Sequence, residues 1–243
     1  MIDFNYVTNG FITDADGVNI IRMSGDARLR INLPLFKNSY TDVEGKSISF
    51  ANMATNGRTA EFRFKVSNTS NEDTAVINFL HSGNAADTSV LDFANTDHSE
   101  QLKASGFLIQ PKQAFFINKD MPVDYDYDGN VRYPQKVAVT NYCEDEVIRL
   151  SFVMEPNKAD GKQALRIYTN GELTRVIPYS ATTNISGPDY IKLGSKDCIL
   201  DLYSAVFYEK ALSEVDILTN YLADIPNISK RIEEYNLNDV WND

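Results

Sequence analysis

The chain has 243 residues, of which 43% are hydrophobic and 23% are charged, a composition typical of a soluble globular protein. This composition excludes a disordered chain, a collagen-like repeat and a coiled coil. The 34 acidic residues outnumber the 23 basic ones, so the formal net charge is -11 at pH 7. Because such a surface repels phosphate backbones and anionic lipids, we expect neither nucleic acid nor a membrane as a partner.

Cysteine usage and the N-terminus indicate synthesis in a reducing cytoplasm. The two cysteines, Cys143 and Cys198, are too few for a disulfide framework and show no Cys-x-x-Cys spacing, although one long-range disulfide stays open. The residues after Met1 lack the basic and apolar regions of a secretion signal. No apolar stretch reaches the roughly 20 residues that a membrane helix needs.

The dominant hydrophobic period along the chain is two residues, which is typical of strands with one buried face. The alternation of apolar and charged side chains is clearest at residues 60–66. Further strands are predicted at residues 18–23, 29–33, 75–80, 106–109, 114–117, 147–154, 190–193 and 199–208. Because these segments are many, short and separated by Asn, Asp, Gly and Ser, they predict an all-β antiparallel sandwich or barrel.

A β-hairpin is predicted between residues 165–168 and 173–177, which flank Asn170 and Gly171. Asn-Gly is the strongest short-range hairpin signal, because both central residues of a type I′ turn need a positive φ.

A helix is predicted at residues 213–223, near the end of the chain. Ser213 and the acidic Asp216 three residues later resemble a capping box. Val215, Leu218 and Leu222 fall on one stripe, by which we expect the helix to pack on the body.

The remaining residues, 225–243, are interpreted as an extension of a domain that spans residues 1–224. Pro226 ends the helix, and residues 228–235 are candidates for a second short helical segment. The extension leads into a further domain or a partner contact, or it is a frayed C-terminus.

Several motifs resemble those of concanavalin A-like, laminin-G-like jelly-roll domains. Their iYvNG hairpin has a counterpart at residues 167–173 (Ile-Tyr-Thr-Asn-Gly-Glu-Leu), and their i.iG strand at residues 191–195. Their closing strand and helix start are similar to residues 200–213. The resemblance covers roughly residues 9–223 and implies a two-sheet antiparallel jelly-roll β-sandwich with a short C-terminal helix.

The start of the chain is most similar to versions of this domain carried by bacteriophage structural or tail proteins. The matching segments are residues 9–11, 24–28 and 57–59. This resemblance implies that the protein resides in a virion.

The sequence does not predict an enzyme, although glycoside hydrolases share this fold. Those enzymes need two carboxylates at a fixed separation, aimed into one cleft. Glu144, Asp145 and Glu146 are consecutive at a turn, so their side chains point to opposite faces, and Asp201 stands alone in the final strand. Two histidines, His81 and His98, are too few for a metal triad.

A weak calcium site is the one cofactor that the sequence suggests. Oxygen ligands at positions one, three and five, followed by Gly129, match the first part of a calcium loop. Gln135 replaces the bidentate Glu of the twelfth position, which predicts weak affinity. The alternative is a long hairpin with an Asp-Gly turn. The candidate ligands are Asp124, Asp126, Asp128 and Asn130.

The same segment carries Tyr125 and Tyr127, and Tyr133 follows closely. Their rings offer stacking faces to a sugar, or they pack within the hairpin. They are the candidate ligand-binding residues.

Two functions fit these observations. The first is a non-catalytic binding module of a virion tail, baseplate or fibre that recognises a carbohydrate or protein on a host cell. The second is a structural spacer or decoration domain that contacts other virion subunits. A lectin is expected to expose an aromatic ring beside convergent Asp and Asn oxygens, and a spacer is expected to expose a broad apolar patch.

Overall fold

The computed structural model describes residues 2–5, 10–31, 39–41, 44–49, 51–78, 81–82, 104–117, 124–125, 131–132, 136–161, 163–179 and 191–224. Within these ranges the chain forms nineteen strands and two helices. The first elements are β1 (Ile2–Asn5), β2 (Phe11–Thr13), β3 (Asn19–Met23), β4 (Arg28–Ile31), β5 (Ser39–Thr41), β6 (Ser47–Ser49), α1 (Met53–Asn56), β7 (Arg58–Ser67), β8 (Ile77–Asn78) and β9 (His81–Ser82). They are followed by β10 (Ala104–Ile109), β11 (Gln113–Ile117), β12 (Asp124–Tyr125), β13 (Val131–Arg132), β14 (Lys136–Asn141), β15 (Ile148–Met154), β16 (Gln163–Thr169), β17 (Glu172–Tyr179), β18 (Ile191–Leu193), β19 (Ile199–Tyr208) and α2 (Glu214–Ala223).

Two large antiparallel sheets make up the body. A seven-stranded sheet has the order β17-β16-β15-β7-β19-β3-β2. An eight-stranded sheet has the order β1-β4-β18-β8-β10-β11-β14, with β9 paired to β10, and β5-β6 and β12-β13 form separate two-stranded ribbons. The predicted all-β, two-sheet antiparallel jelly-roll sandwich with a short C-terminal helix is therefore confirmed.

The hydrophobic core lies between the two sheets. Alternate side chains of β7 and β15 point inward, among them Phe62, Leu150 and Phe152, each at most 1% exposed. From the other sheet, Phe107 meets Phe152 with ring centroids 4.1 Å apart. Because full burial of a Phe side chain contributes about 1.5–3 kcal/mol, such contacts between the sheets supply much of the stability of the sandwich.

The predicted hairpin is confirmed as the β16-β17 connection. Asn170 and Gly171 have φ values of 51° and 85°, as a turn of the I′ kind requires. The Asn170 side-chain oxygen also accepts a hydrogen bond of 2.9 Å from the backbone N–H of Arg149. The turn is thereby tied to the neighbouring strand β15.

The C-terminal helix lies where it was predicted, but a different face of it packs on the body. Ser213 and Asp216 form a reciprocal capping box, with bonds of 3.1 and 3.0 Å. The face that packs on the body carries Ile217, which is fully buried, whereas Val215 and Leu218 are exposed. The prediction that Val215, Leu218 and Leu222 form the buried face of the helix is therefore wrong, although Leu218 lies beside Gly171 at the hairpin turn. The physical reason is that the sheet beneath α2 presents charged groups, which are satisfied by Asn220 and Asp224 on the same face of the helix as Ile217.

The expectation about the two cysteines is also resolved. Cys143 is exposed and Cys198 is buried, and no disulfide joins them, so the long-range disulfide that the sequence left open is not formed. Among the residues that the structure describes, neither helix has the length and apolar character required to cross a bilayer.

Candidate functional site

A buried polar cluster lies on the outer face of the seven-stranded sheet, under helix α2. Its centre is Glu61 of β7, which the alternating pattern places on an exposed face but which is only 1% exposed. The Glu61 carboxylate receives hydrogen bonds from Arg149 Nη2 (2.8 Å) and Arg149 Nε (3.3 Å). Ser151 Oγ (2.7 Å) and Asn220 Nδ2 (2.8 Å) donate two more. All of the acceptor capacity of the carboxylate is therefore used by neighbouring side chains.

The same cluster fastens α2 to the sheet. Asp224, the residue that ends the helix, pairs with Arg149 Nη1 and lies 3.9 Å from Arg63 Nε. Asn220 Nδ2 also donates to the hydroxyl of Tyr208, at 3.0 Å. Burial lowers the pKa of Arg149, but the hydrogen bonds and charges of Glu61 and Asp224 outweigh burial, so the pKa is raised overall. Arg149 stays charged, and it bridges the strand below and the helix above.

A second buried ion pair lies farther along the same face. Asp201 of β19, expected to stand alone in its strand, is fully buried and is held by two cations. Arg22 Nε and Nη2 donate to its two oxygens at 2.6 and 2.7 Å, and Lys65 Nζ lies 3.6 Å away. The hydrogen bond from Arg22 to Asp201 raises the pKa of Arg22. This bidentate pair links β3, β7 and β19, which are neighbours in the sheet.

The acidic residues of the turn before β15 also make contacts within the sandwich. Asp145 adopts a φ of 65°, in the left-handed region that turns use. Glu144 Oε1 accepts a hydrogen bond of 3.2 Å from the backbone N–H of Thr69, and its Oε2 lies 3.8 Å from Lys112 Nζ. Glu146 is exposed. These residues lie at a turn, as predicted, and their contacts connect loops of the sandwich.

The proposed calcium and sugar-binding segment is described only in part. Antiparallel pairs join Asp124 to Arg132 and Tyr125 to Val131, so β12 and β13 form a short two-stranded ribbon on either side of residues 126–130. The side chains of Asp124 and Tyr125 lie outside the described part of the structure, as do the remaining candidates, Asp126, Tyr127, Asp128, Asn130 and Tyr133. Their roles stay predictions. Among the residues that the structure does describe, no group of three His, Cys, Asp or Glu side chains is arranged to hold a metal ion.

Exposed apolar side chains concentrate at one place on the described surface. Of the seven large exposed ones, two lie elsewhere, at Phe11 and Val147. The other five are Leu173 and Val176 of β17 and Val215, Leu218 and Leu222 of α2, which we call the α2–β17 surface.

The two parts of the α2–β17 surface lie on the same side of the sheet. Leu173 pairs with Tyr168 in the strand register, and cross-strand partners share a sheet face. Tyr168 packs with Ile217 beneath the helix, so Leu173 lies on the face that α2 covers. At the hairpin turn, a Cβ on Gly171 would lie 3.2 Å from Leu218 Cδ1. The helix therefore rests directly against the hairpin that carries Leu173.

Comparison with known proteins identifies the fold and no family. No protein-family model and no curated protein matches the sequence. The chain is similar in structure to a botulinum neurotoxin serotype D ligand-binding domain in complex with N-acetylneuraminic acid, at 15% identity and a TM-score of 0.53, over 93% of this chain and 47% of that chain. It is also similar to the receptor-binding domain of botulinum neurotoxin D, at 13% identity and a TM-score of 0.52, over 93% of this chain and 48% of that chain. The chain thus spans about half the length of these structures, and the likeness is one of β-sandwich fold.

Proposed function

We propose that this chain is a non-catalytic binding module that recognises a carbohydrate or a protein on a cell surface. The observation that supports the proposal is the hydrogen bonding of the two buried carboxylates. Glu61 and Asp201 each accept two hydrogen bonds from one arginine. A general acid or base must exchange a proton with its substrate, and a buried carboxylate that accepts two hydrogen bonds from an arginine is poorly suited to that role. The two carboxylates therefore stabilise the outer face of the seven-stranded sheet.

The binding site that we propose is the β12-β13 ribbon with the residues that connect its two strands. Residues 126–130 connect Tyr125 to Val131, which pair with each other in the register of β12 and β13. That segment has two further aspartates and a tyrosine, a composition suited to hydrogen bonding and stacking on a sugar ring. Two of the solved structures with the same fold support a glycan or receptor as the ligand, since their names describe a sialic-acid complex and a receptor-binding domain.

The virion setting of the module is supported by the sequence resemblance at residues 9–11, 24–28 and 57–59. In that setting the host cell supplies the ligand, and neighbouring virion subunits hold the domain. The alternative of a pure spacer domain requires a broad apolar patch, and the α2–β17 surface is the described region that has this character.

We expect the purified full chain to bind a glycan on an array and to leave it uncleaved. Tyr127→Ala should weaken binding about tenfold, which corresponds to about 1.4 kcal/mol, because it removes a stacking face. Tyr127→Phe is the matched control, since it keeps the ring and should keep most of the affinity. Binding that is equal in wild type and Tyr127→Ala would contradict the proposed site, and release of cleaved sugar would contradict the non-catalytic assignment.

Calcium should stabilise the same loop. Like charges on Asp124, Asp126 and Asp128 repel one another, and a divalent cation relieves the repulsion. With a dissociation constant of about 10⁻⁴–10⁻³ M, 10 mM calcium adds at least about 1.4 kcal/mol of stability, a melting shift of roughly 3–6 °C. Asp126→Ala should abolish the shift, and Asp26→Ala, which removes an exposed charge from another turn, should preserve it. Equal melting temperatures in calcium and in chelator would leave the segment an ordinary hairpin.

A further inference from the structure

Helix α2 presents a continuous apolar stripe to solvent. Val215 is 73% exposed, Leu218 39% and Leu222 37%. Rotation of the helix cannot bury the stripe, because Ile217, Asn220 and Asp224 hold the other face against the sheet. An amphipathic stripe of this spacing is typical of a helix that packs against a second apolar element.

The sequence directly after α2 has the complementary spacing. Along α2 in the reverse direction, the apolar positions Leu222, Leu218 and Val215 are four and then three residues apart. Forward from the helix end, Ile228, Ile232 and Tyr235 are also four and then three residues apart. If the two segments run antiparallel, each member of the stripe therefore meets an apolar partner.

The connection between the two segments suits such a reversal. Pro226 lacks the N–H that would continue α2, and the residue before a proline disfavours helical backbone. Asn227 is among the residues preferred at a helix N-cap. Residues 224–227 provide a connection of four residues, and antiparallel helices are commonly joined by two to five.

We propose that residues 228–235 dock as a helix on the Val215–Leu218–Leu222 stripe, and that the C-terminal part of the chain forms an antiparallel helical hairpin with α2. The pairs are Leu222 with Ile228, Leu218 with Ile232, and Val215 with Tyr235. This contact does not depend on the ligand of the binding module, and it occupies the helix part of the α2–β17 surface.

Charge favours this occupant over a second copy of the chain. Helix α2 and its cap carry Glu214, Asp216 and Asp224 and no basic residue. Asp224 is paired with Arg149 on the sheet side, so two copies packed stripe to stripe would bring together two helices that each keep Glu214 and Asp216 and have no basic residue of their own. Residues 228–235 include one lysine, one arginine and two glutamates, so their net charge is zero. The segment covers the stripe without that repulsion.

Amide hydrogen exchange on the full chain tests the contact. In the wild type, amides of residues 229–235 should exchange at least about tenfold more slowly than in an unfolded peptide, which corresponds to about 1.4 kcal/mol of protection. Leu218→Asp should return their rates to within about twofold of the peptide rate. Leu173→Asp is the matched control, because Leu173 is exposed to a similar extent (44%) but lies on β17. It should leave the protection of residues 229–235 unchanged.

Ile232→Asp provides the reciprocal variant, and it changes no residue of the described body. It should abolish protection of the segment while the strands of the sheet stay protected as in the wild type. Unprotected amides in the wild type would overturn the proposal, and so would protection that survives Leu218→Asp and Ile232→Asp. Protection that increases with protein concentration together with a dimer in sedimentation would also overturn it, because a second copy would then cover the stripe.

Discussion

Arg149→Met is expected to lower the free energy of unfolding by about 3–5 kcal/mol, the cost of leaving a buried ion without its partner. Glu61 would keep its hydrogen bonds from Ser151 and Asn220 but would lose its counter-charge in a site that is 1% exposed. For a domain of this size the melting temperature should fall by roughly 6–20 °C. Denaturant unfolding, followed by far-UV circular dichroism, measures the change directly.

Two further variants distinguish the cost of an unpaired buried charge from the effect of removing any ion pair. Lys112→Met also removes a cation from an ion pair, but the Lys112 side chain is 44% exposed and that of its partner Glu72 is 66% exposed, so the unfolding midpoint should hardly change. Glu61→Gln combined with Arg149→Met should recover a large part of the loss, because the remaining amide is neutral and can still bond Ser151 and Asn220. If Arg149→Met and Lys112→Met were equally mild, the cluster under α2 would not be what holds the helix in place.

The sequence predicted correctly those elements whose own residues specify a turn, a helix cap or an alternating strand. The Asn170-Gly171 turn and the Ser213 cap require particular backbone conformations, and both are found where the sequence placed them. Long strands such as β7 and β19 show enough alternation to be recognised. The strand β14 (Lys136–Asn141) was not predicted, since its three apolar residues are consecutive and show no period of two.

The polar cluster could not be predicted, because a period of two distinguishes the faces of a strand without saying what covers each face. Residues 60–66 alternate as a half-exposed strand does, and only the placement of α2 across the sheet buries Glu61. The helix error has the same origin. Its most apolar stripe was assigned to the body by analogy with ordinary amphipathic helices. The ion pairs beneath α2 instead select the face with Asn220, which only three-dimensional contacts reveal.

Gly57 is the position at which a single methyl group should cost most. Its φ of 72° with a ψ of -166° belongs to a region of backbone space that is essentially restricted to glycine. A Cβ there would lie 2.3 Å from the backbone oxygen of Met154 and 2.7 Å from the Cβ of Ala211. The close approach brings together the entry to β7, the end of β15 and the segment that leads into α2. Three segments of the chain therefore meet closely at Gly57.

Gly57→Ala is expected to destabilise the protein by about 2–6 kcal/mol, the sum of backbone strain and overpacking at roughly 1–3 kcal/mol each. Gly17→Ala is the control, because Gly17 also has a positive φ (80°) but would place its Cβ in open space. That variant should lose only the strain contribution, about 1–2 kcal/mol. Thermal and denaturant unfolding give the loss in unfolding free energy for each variant. The difference between the two losses measures the cost of overpacking at Gly57. Equal losses would mean that the strands and the segment before α2 can move apart at Gly57 without cost, and the close approach of Met154 and Ala211 to Gly57 would then not restrain the helix on the sandwich.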